Sequence, residues 1–481
     1  MNEKNKKIIF YTAVFLIMLA GVWLRMLFFS YARPFWNDES ALALNVLNRD
    51  FFGLFRALDY NQAAPPLFVI LGKMFLSVFK NLELSLRLPS LLFSILSIPV
   101  FYLLSKRLLK SRIAVIFALM LFSLNYQLIY YAQEFKHYSC DVFCFLTILL
   151  LCFLLDFKKL KTPYLLCVGV WLAITPWMSY TALIAEAVLF FSLFSKDKKK
   201  TLVLFSLPFL SFASFLPVVQ RMNSSGFLHS FWAYGFIEKD FSNISMLVKN
   251  NTAFYFPDFP NKFLILIMIC AGLWGYAKDF KKQEAFVIFS IFSVAFILAY
   301  LKIYPVYLRT CLYLFPIVLI LIAKPFDMFV FKQKYLTLFF AGFLFAHFGL
   351  CTLKTDFTQI LQKEYYCENT LLMLEKFVSV SKPGDVLVVT EAGRINFELY
   401  SKNTDLSGRN VILMNKNLYE LSQIQSVYAL LPANRTYYVL LTHSGDKINE
   451  YKNLCAYAET MKNSAVISDK SRNALIRFSN K

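Results

Sequence analysis

Apolar stretches long enough to cross a bilayer recur along this chain, parted by short gaps rich in lysine and arginine. That alternation decides its class. A helical span needs about 20 apolar residues, and a soluble domain does not repeat such runs. Here 58% of the 481 residues are hydrophobic, Phe alone occurs 53 times, and the mean hydropathy is +0.53. The pattern predicts an α-helical polytopic membrane protein.

A net charge of +20 would suggest a nucleic-acid partner in a soluble protein. Its placement points elsewhere. The bases cluster in the gaps, as in Lys4, Lys6 and Lys7, then Lys106, Arg107, Lys110 and Arg112, then Lys196, Lys198, Lys199 and Lys200, and again in Lys278, Lys281 and Lys282. Short Lys/Arg-rich loops stay on the cytoplasmic side and favour anionic lipid headgroups. No basic stripe alternates with stacking aromatics, so nucleic acid is not an expected partner.

With these clusters as cytoplasmic markers, about eleven spans follow. They begin with Ile8 to Phe29, retained rather than cleaved, and continue with Pro89 to Leu104, Ile113 to Tyr130, Tyr138 to Leu155, Tyr164 to Trp177, Ala182 to Phe194 and Leu202 to Val219. Phe263 to Tyr276, Ala285 to Leu301, Leu308 to Ala323 and Leu336 to Leu353 complete the set. Two outer loops result, residues 30–86 and 220–261. Leu67 to Phe79 is too short for a span and is expected along the outer surface, with Lys73 snorkelling; Arg25 is expected to snorkel from the first helix. This places a membrane domain over residues 1–354 and an extracytoplasmic domain over 355–481.

Beyond Thr355 the composition becomes that of a soluble α/β domain. Asp385 to Thr390, Asn410 to Met414 and Tyr437 to Thr442 read as short buried strands, and Glu364 to Val378 and Leu418 to Leu431 as helices. Such alternation predicts a small sheet with helical crossovers. No phosphate-cradling glycine motif occurs there. Cys367 and Cys455 could pair if this domain lies outside the cytoplasm, and the other cysteines fall mostly in apolar runs as small hydrophobes.

The polar residues that break the apolar pattern converge on the outer side. Asp38 and Glu39 follow the first span, and an ionisable pair at the membrane boundary is by default a functional-site hypothesis. Downstream come Asn61-Gln62-Ala-Ala-Pro65-Pro66-Leu67, Arg87-Leu88-Pro89-Ser90, Tyr131-Ala-Gln-Glu134-Phe-Lys136-His137-Tyr138 and Tyr304-Pro-Val-Tyr307-Leu-Arg309. Glu186, inside an apolar run, is either a hydrogen-bonded core acid or part of a lipid path.

In that order, the acidic pair, the Pro-Pro-Leu segment, the Arg-Leu-Pro-Ser motif and the Tyr-Ala-Gln-Glu turn resemble bacterial membrane glycosyltransferases. The superfamily is that of protein O-mannosyltransferases and the lipid A aminoarabinose transferase, with the C-type (GT-C) fold. The likeness is closest over about the first 200 residues. It implies transfer of a sugar from a polyprenyl-phosphate donor to a lipid, glycan or protein acceptor outside the cytoplasm, at the bacterial cytoplasmic membrane. An inverting transfer needs a carboxylate base, for which Asp38 is the candidate, with Glu39 as an orienting neighbour or an ordinary helix-start residue. Glu134 would position the acceptor or a divalent ion, and no other cofactor is implied. Arg309, beside Tyr304 and Tyr307, would meet the donor phosphate or anchor the interface. Gln62, Arg87, Lys136, His137 and Tyr138 are further candidate contacts. The chain departs from the pattern at Ala64, where relatives of the aminoarabinose enzyme carry Lys, and at Lys136, where many relatives carry Arg. The other reading left open by these residues is a transporter or flippase for a lipid-linked sugar, and a third is a membrane scaffold that binds a partner through its C-terminal domain.

Overall fold

The computed structural model describes residues 2–157, 162–222, 226–257, 259, 261–278, 282–328, 342, 369–415, 435–442, 460, 464–470 and 473–480. The chain falls into two compact units, residues 1–30 with 50–357 and residues 31–49 with 358–481. The chain is an integral membrane protein, mostly helical, with a small C-terminal sheet domain.

In the first unit α1 (Glu3–Phe29) opens on Asn2, whose side chain accepts from Lys4 N–H. After a short gap come α3 (Pro66–Phe79), α4 (Leu82–Leu108), α5 (Arg112–Leu124), α6 (Tyr126–Tyr130) and α7 (Tyr138–Leu154), the helix α2 being described with the second unit. They are followed by α8 (Thr162–Met178), α9 (Ala182–Phe194), α10 (Lys198–Met222), α11 (Phe227–Phe231), α12 (Phe241–Tyr255), α13 (Lys262–Ala277), α14 (Gln283–Tyr300), α15 (Phe315–Ala323) and α16 (Pro325–Met328). Among the described residues four helices are long and apolar enough to cross a membrane: α1, α4, α10 and α14. A fifth span arises if α5 and α6, bent by 48° at Asn125, count together. Most other spans read from the sequence fall on shorter apolar helices, and 336–353 lies, apart from Gly342, outside the described residues.

The bend has a local cause. Asn125 leaves the helical path, its carboxamide oxygen accepts from Leu128 N–H at 3.2 Å, and its nitrogen donates to the Tyr255 carbonyl at 3.1 Å. Side-chain capping of this kind starts a new helix instead of continuing the old one.

Arg25 corrects an expectation. It does not snorkel but is fully buried, donating to Ser94 Oγ at 2.7 Å, the Gly21 carbonyl at 2.9 Å and the Ser123 carbonyl at 2.8 Å. A guanidinium offers five donors, so one side chain ties α1, α4 and α5 together. Lys73 of α3 lies 5.7 Å from the Phe51 ring centroid, a cation–π contact at the base of this short helix. At the other end of the bundle Asp327 accepts from the Lys110 and Ser111 backbone N–H groups and from Lys324 Nζ at 3.0 Å, closing the start of α5 against α16.

The second unit is built on a five-stranded sheet in the order β2-β1-β3-β5-β4, with β1 Val386–Val389, β2 Asn410–Leu413, β3 Arg435–Leu441, β4 Ser464–Lys470 and β5 Asn473–Asn480. β1 runs parallel to β2 and β3, while β5 is antiparallel to β3 and β4. The expected strands thus appear as β1 to β3, and the closing hairpin β4–β5 is added by the structure. Val386 to Val389 and Tyr437 to Leu441 are buried on both faces, as central parallel strands require. The helix Thr370–Val380 starts on Asn369, whose side chain accepts from Leu372 N–H at 3.1 Å. Residues 418–431, Cys367 and Cys455 lie outside the described residues. The helix α2 (Asn37–Asn48) belongs to this unit and packs on the helix Arg394–Ser401.

Candidate active site

The turn between α6 and α7 is the polar centre of the first unit. Tyr131–Gln133 forms a single 3-10 turn, after which Glu134 is extended and Lys136 N–H donates to its carbonyl at 2.7 Å. Ser139 Oγ holds the Tyr131 carbonyl at 2.8 Å, and Ser90 Oγ of α4 holds the Lys136 carbonyl at 3.0 Å. The Phe135 ring stacks on Phe68 with centroids 5.6 Å apart, beside Gly72 of α3, where any Cβ would come within 2.8 Å of that ring. Glu134, Lys136 and His137 are thereby held buried on a rigid frame. Arg87, in the same helix as Ser90, is also buried.

Several sequence candidates meet here. Lys136 is a buried cation, and its Nζ donates to Gln62 Oε1 at 2.6 Å. Tyr60 and Asn61, just before Gln62, both take left-handed backbone angles, with φ of 59° and 54°. His137 Nε2 lies 3.6 Å from Asp141 Oδ2, too far for a hydrogen bond. Burial first, then the cations Lys136 and Arg309, push the His137 imidazole down to about 3, so it is neutral at physiological pH. The Arg309 guanidinium lies over the rings of Tyr138, at 5.9 Å, and Trp232, at 5.4 Å.

The loop bearing Arg309 is fixed by a helix the sequence reading passed over. In α12, Asn251 donates to the Val306 carbonyl at 3.0 Å and accepts from Leu308 N–H at 2.6 Å, Asn250 donates to the Tyr307 hydroxyl at 3.3 Å, and Tyr255 donates to the Leu308 carbonyl at 2.8 Å. Leu308 has a φ of 45°, a strained setting for a side chain with a γ-branch, directly before Arg309. The one sequence signal for this frame is the pair Asn250-Asn251 inside an apolar helix.

Beside this cluster opens a cavity of about 1140 Å³. His137, Tyr138, Tyr180, Tyr304 and Thr310 give it polar lining, and burial pushes the Tyr180 and Tyr304 hydroxyls up, which keeps them protonated. Beyond Tyr180 the wall follows α9 from Leu183 to Phe191, about 12 Å of helix. Over that length it is aliphatic and aromatic apart from Glu186, whose carboxyl accepts from Thr175 Oγ1 at 2.6 Å. Gln62, Arg87, Glu134, Lys136, Tyr307 and Arg309 are not part of the wall.

Asp38 and Glu39 belong to the second unit, in the first turn of α2. A helix N-terminus favours negative charge there. Glu39 is fully buried, whereas Asp38 is half-buried, so Asp38 is the more reachable of the two carboxylates. Among the described residues no group of three or more His, Cys, Asp and Glu side chains could hold a metal ion.

Comparison with known proteins adds three findings. Residues 63–220 match the family model of dolichyl-phosphate-mannose-protein mannosyltransferases. No curated protein sequence matches the chain. In structure it is similar to ArnT from Cupriavidus metallidurans in the apo state, with a TM-score of 0.54 at 11% identity over 98% of both chains. It is likewise similar to the same protein bound to undecaprenyl phosphate, with a TM-score of 0.51 at 10% identity over 99% of this chain and 98% of that one. The archaeal oligosaccharyltransferase AglB from Archaeoglobus fulgidus, in complex with an inhibitory peptide and a dolichol-phosphate, gives 0.52 at 15% identity over 94% of this chain and 71% of that one. The resemblance carried by the motifs therefore extends to the architecture, and this chain has the GT-C fold.

Proposed function

We propose that this protein is a glycosyltransferase of the bacterial cytoplasmic membrane, transferring a sugar from a polyprenyl-phosphate-linked donor to an acceptor outside the cytoplasm. The observation that carries the reading is a long apolar cavity whose polar wall adjoins two cations, the buried Lys136 and the half-buried Arg309. Such a space suits an amphiphile with a hydrocarbon tail and an anionic head. The solved structures of ArnT with undecaprenyl phosphate and of AglB with a dolichol-phosphate support the same donor class here.

Each residue then has a task. Arg309 and Lys136 offset the negative charge of the lipid phosphate, which grows as the bond from phosphate oxygen to the anomeric carbon breaks. His137 and Tyr304, both neutral, offer hydrogen bonds without adding charge, and Gln62 orients Lys136. Asp38 takes the proton of the acceptor hydroxyl or amine as it attacks that carbon, giving inversion. Glu134 orients the acceptor, and Arg87, buried in α4, is a further substrate contact.

Purified protein in liposomes, given a labelled polyprenyl-phosphate sugar and an envelope extract, tests the reading. The label is expected to move covalently from carrier to acceptor. Movement of intact carrier between leaflets without a covalent product would replace this reading with that of a flippase.

A further inference from the structure

The helix that carries the acidic pair starts without a side-chain cap. Trp36 stands at the N-cap of α2 with no side-chain hydrogen bond to the first turn, where Ser, Thr, Asp or Asn would ordinarily supply one. Its carbonyl takes the Glu39 and Ser40 N–H groups at 3.0 and 2.9 Å, so the orientation of that peptide sets the frame of Asp38. A contact on the residue before the cap comes from far along the chain. Phe35 N–H donates to the Tyr400 hydroxyl at 2.6 Å, and both residues are buried. At the other end of α2, Lys402 Nζ donates to Asn48 Oδ1 at 3.3 Å. Between these ties, Glu39 to Val46 are buried without interruption, and the helix Arg394–Ser401 contributes Phe397, Leu399 and Tyr400 to the unit's core.

We propose that the C-terminal unit serves the transfer reaction by holding the start of α2, and that Tyr400 is the positioning residue, its hydroxyl on Phe35 N–H setting the backbone from which Asp38 is presented. The proposal rests on the reading of Asp38 as the base. It gives the sheet domain a task, since Arg394–Ser401 is placed directly after β1, the strand at the centre of the parallel part. A domain that merely filled space would have no reason to spend a buried tyrosine hydroxyl on a backbone N–H three residues before the acid.

The experiment compares Tyr400→Phe, Asp38→Asn and the double variant in full-length protein, with steady-state transfer from a labelled undecaprenyl-phosphate sugar and hydrogen exchange of the peptide covering residues 35–40. Tyr400→Phe keeps the ring and removes the acceptor. Its kcat is expected to fall about tenfold, the scale of one lost buried hydrogen bond, with KM for the donor unchanged. Exchange over 35–40 should rise by a similar factor, and the double variant should be no slower than Asp38→Asn alone. Wild-type kcat in Tyr400→Phe with Asp38→Asn inactive overturns this proposal and leaves the base intact. An active Asp38→Asn overturns the base, and this proposal with it. In the unmodified protein, amides of 35–40 should exchange as slowly as those of 397–400; fast exchange at 35–40 would also overturn the proposal, whatever the variant's folding yield.

Discussion

His137 is the residue whose chemistry differs most from its usual behaviour. With its imidazole pushed down to about 3 by burial and by Lys136 and Arg309, the folded protein leaves it neutral where an unfolded chain would bind a proton. The unfolded state therefore holds more protons between pH 6.5 and about 3, and stability falls as pH drops through that window, by up to about 1.4 kcal/mol per unit. His137→Gln should flatten the acid limb of a thermal-midpoint profile; an unchanged limb would show the imidazole to be charged or exposed. Lys136 bears the complementary role. Lys136→Met removes a charged hydrogen bond of about 1.5–3 kcal/mol, and because the phosphate charge it offsets grows as the bond breaks, the loss is expected in kcat as well as in a raised KM for the donor. Both residues were legible from sequence because they interrupt a recognisable motif. Asp141 and Thr310 were not, because an acid one turn into an apolar helix and a threonine in a loop have no local signature of their surroundings, His137 for the one and the cavity for the other.

Among the elements, α12 shows why a one-dimensional reading stops short. Apolar periodicity reports which residues leave water, but not that Asn251 bridges to Val306 and Leu308 in a loop more than fifty residues on. Asn251→Ala leaves a buried backbone donor and acceptor without that bridge, at about 1–3 kcal/mol. It should weaken donor use through the Arg309 loop while α12 stays folded by circular dichroism; unchanged kinetics would mean the loop holds its shape unaided. Close helix approach is equally invisible in the sequence. A Cβ on Gly272 of α13 would overlap the Leu321 carbonyl of α15, so Gly272→Ala should lower the thermal midpoint through overpacking of about 1–3 kcal/mol. A midpoint at or above the wild-type value would contradict that crossing. The strands β1 to β3 could be read because each is a compact apolar run. β4 and β5 carry serine, aspartate, lysine and asparagine, and they become strands by pairing, β5 with β3 and β4 with β5.

At the scale of the whole molecule, the chain order hides a division of labour. Residues 31–49 lie early in the sequence yet group with residues 358–481, while the cavity, the Lys136–Gln62 pair and the Arg309 loop all belong to the other unit. The motif order made the fold readable, since the acidic pair, Pro-Pro-Leu, Arg-Leu-Pro-Ser and the Tyr-Ala-Gln-Glu turn follow one another as in other GT-C chains. The grouping was not readable, because it depends on Phe35 meeting Tyr400 across 365 positions. The most direct test of the account is a single-turnover transfer assay on purified Asp38→Asn with labelled undecaprenyl-phosphate sugar. It should give no glycosylated acceptor, while the protein inserts, folds and retains the carrier as the wild type does. Product formed at the wild-type rate would contradict the central claim.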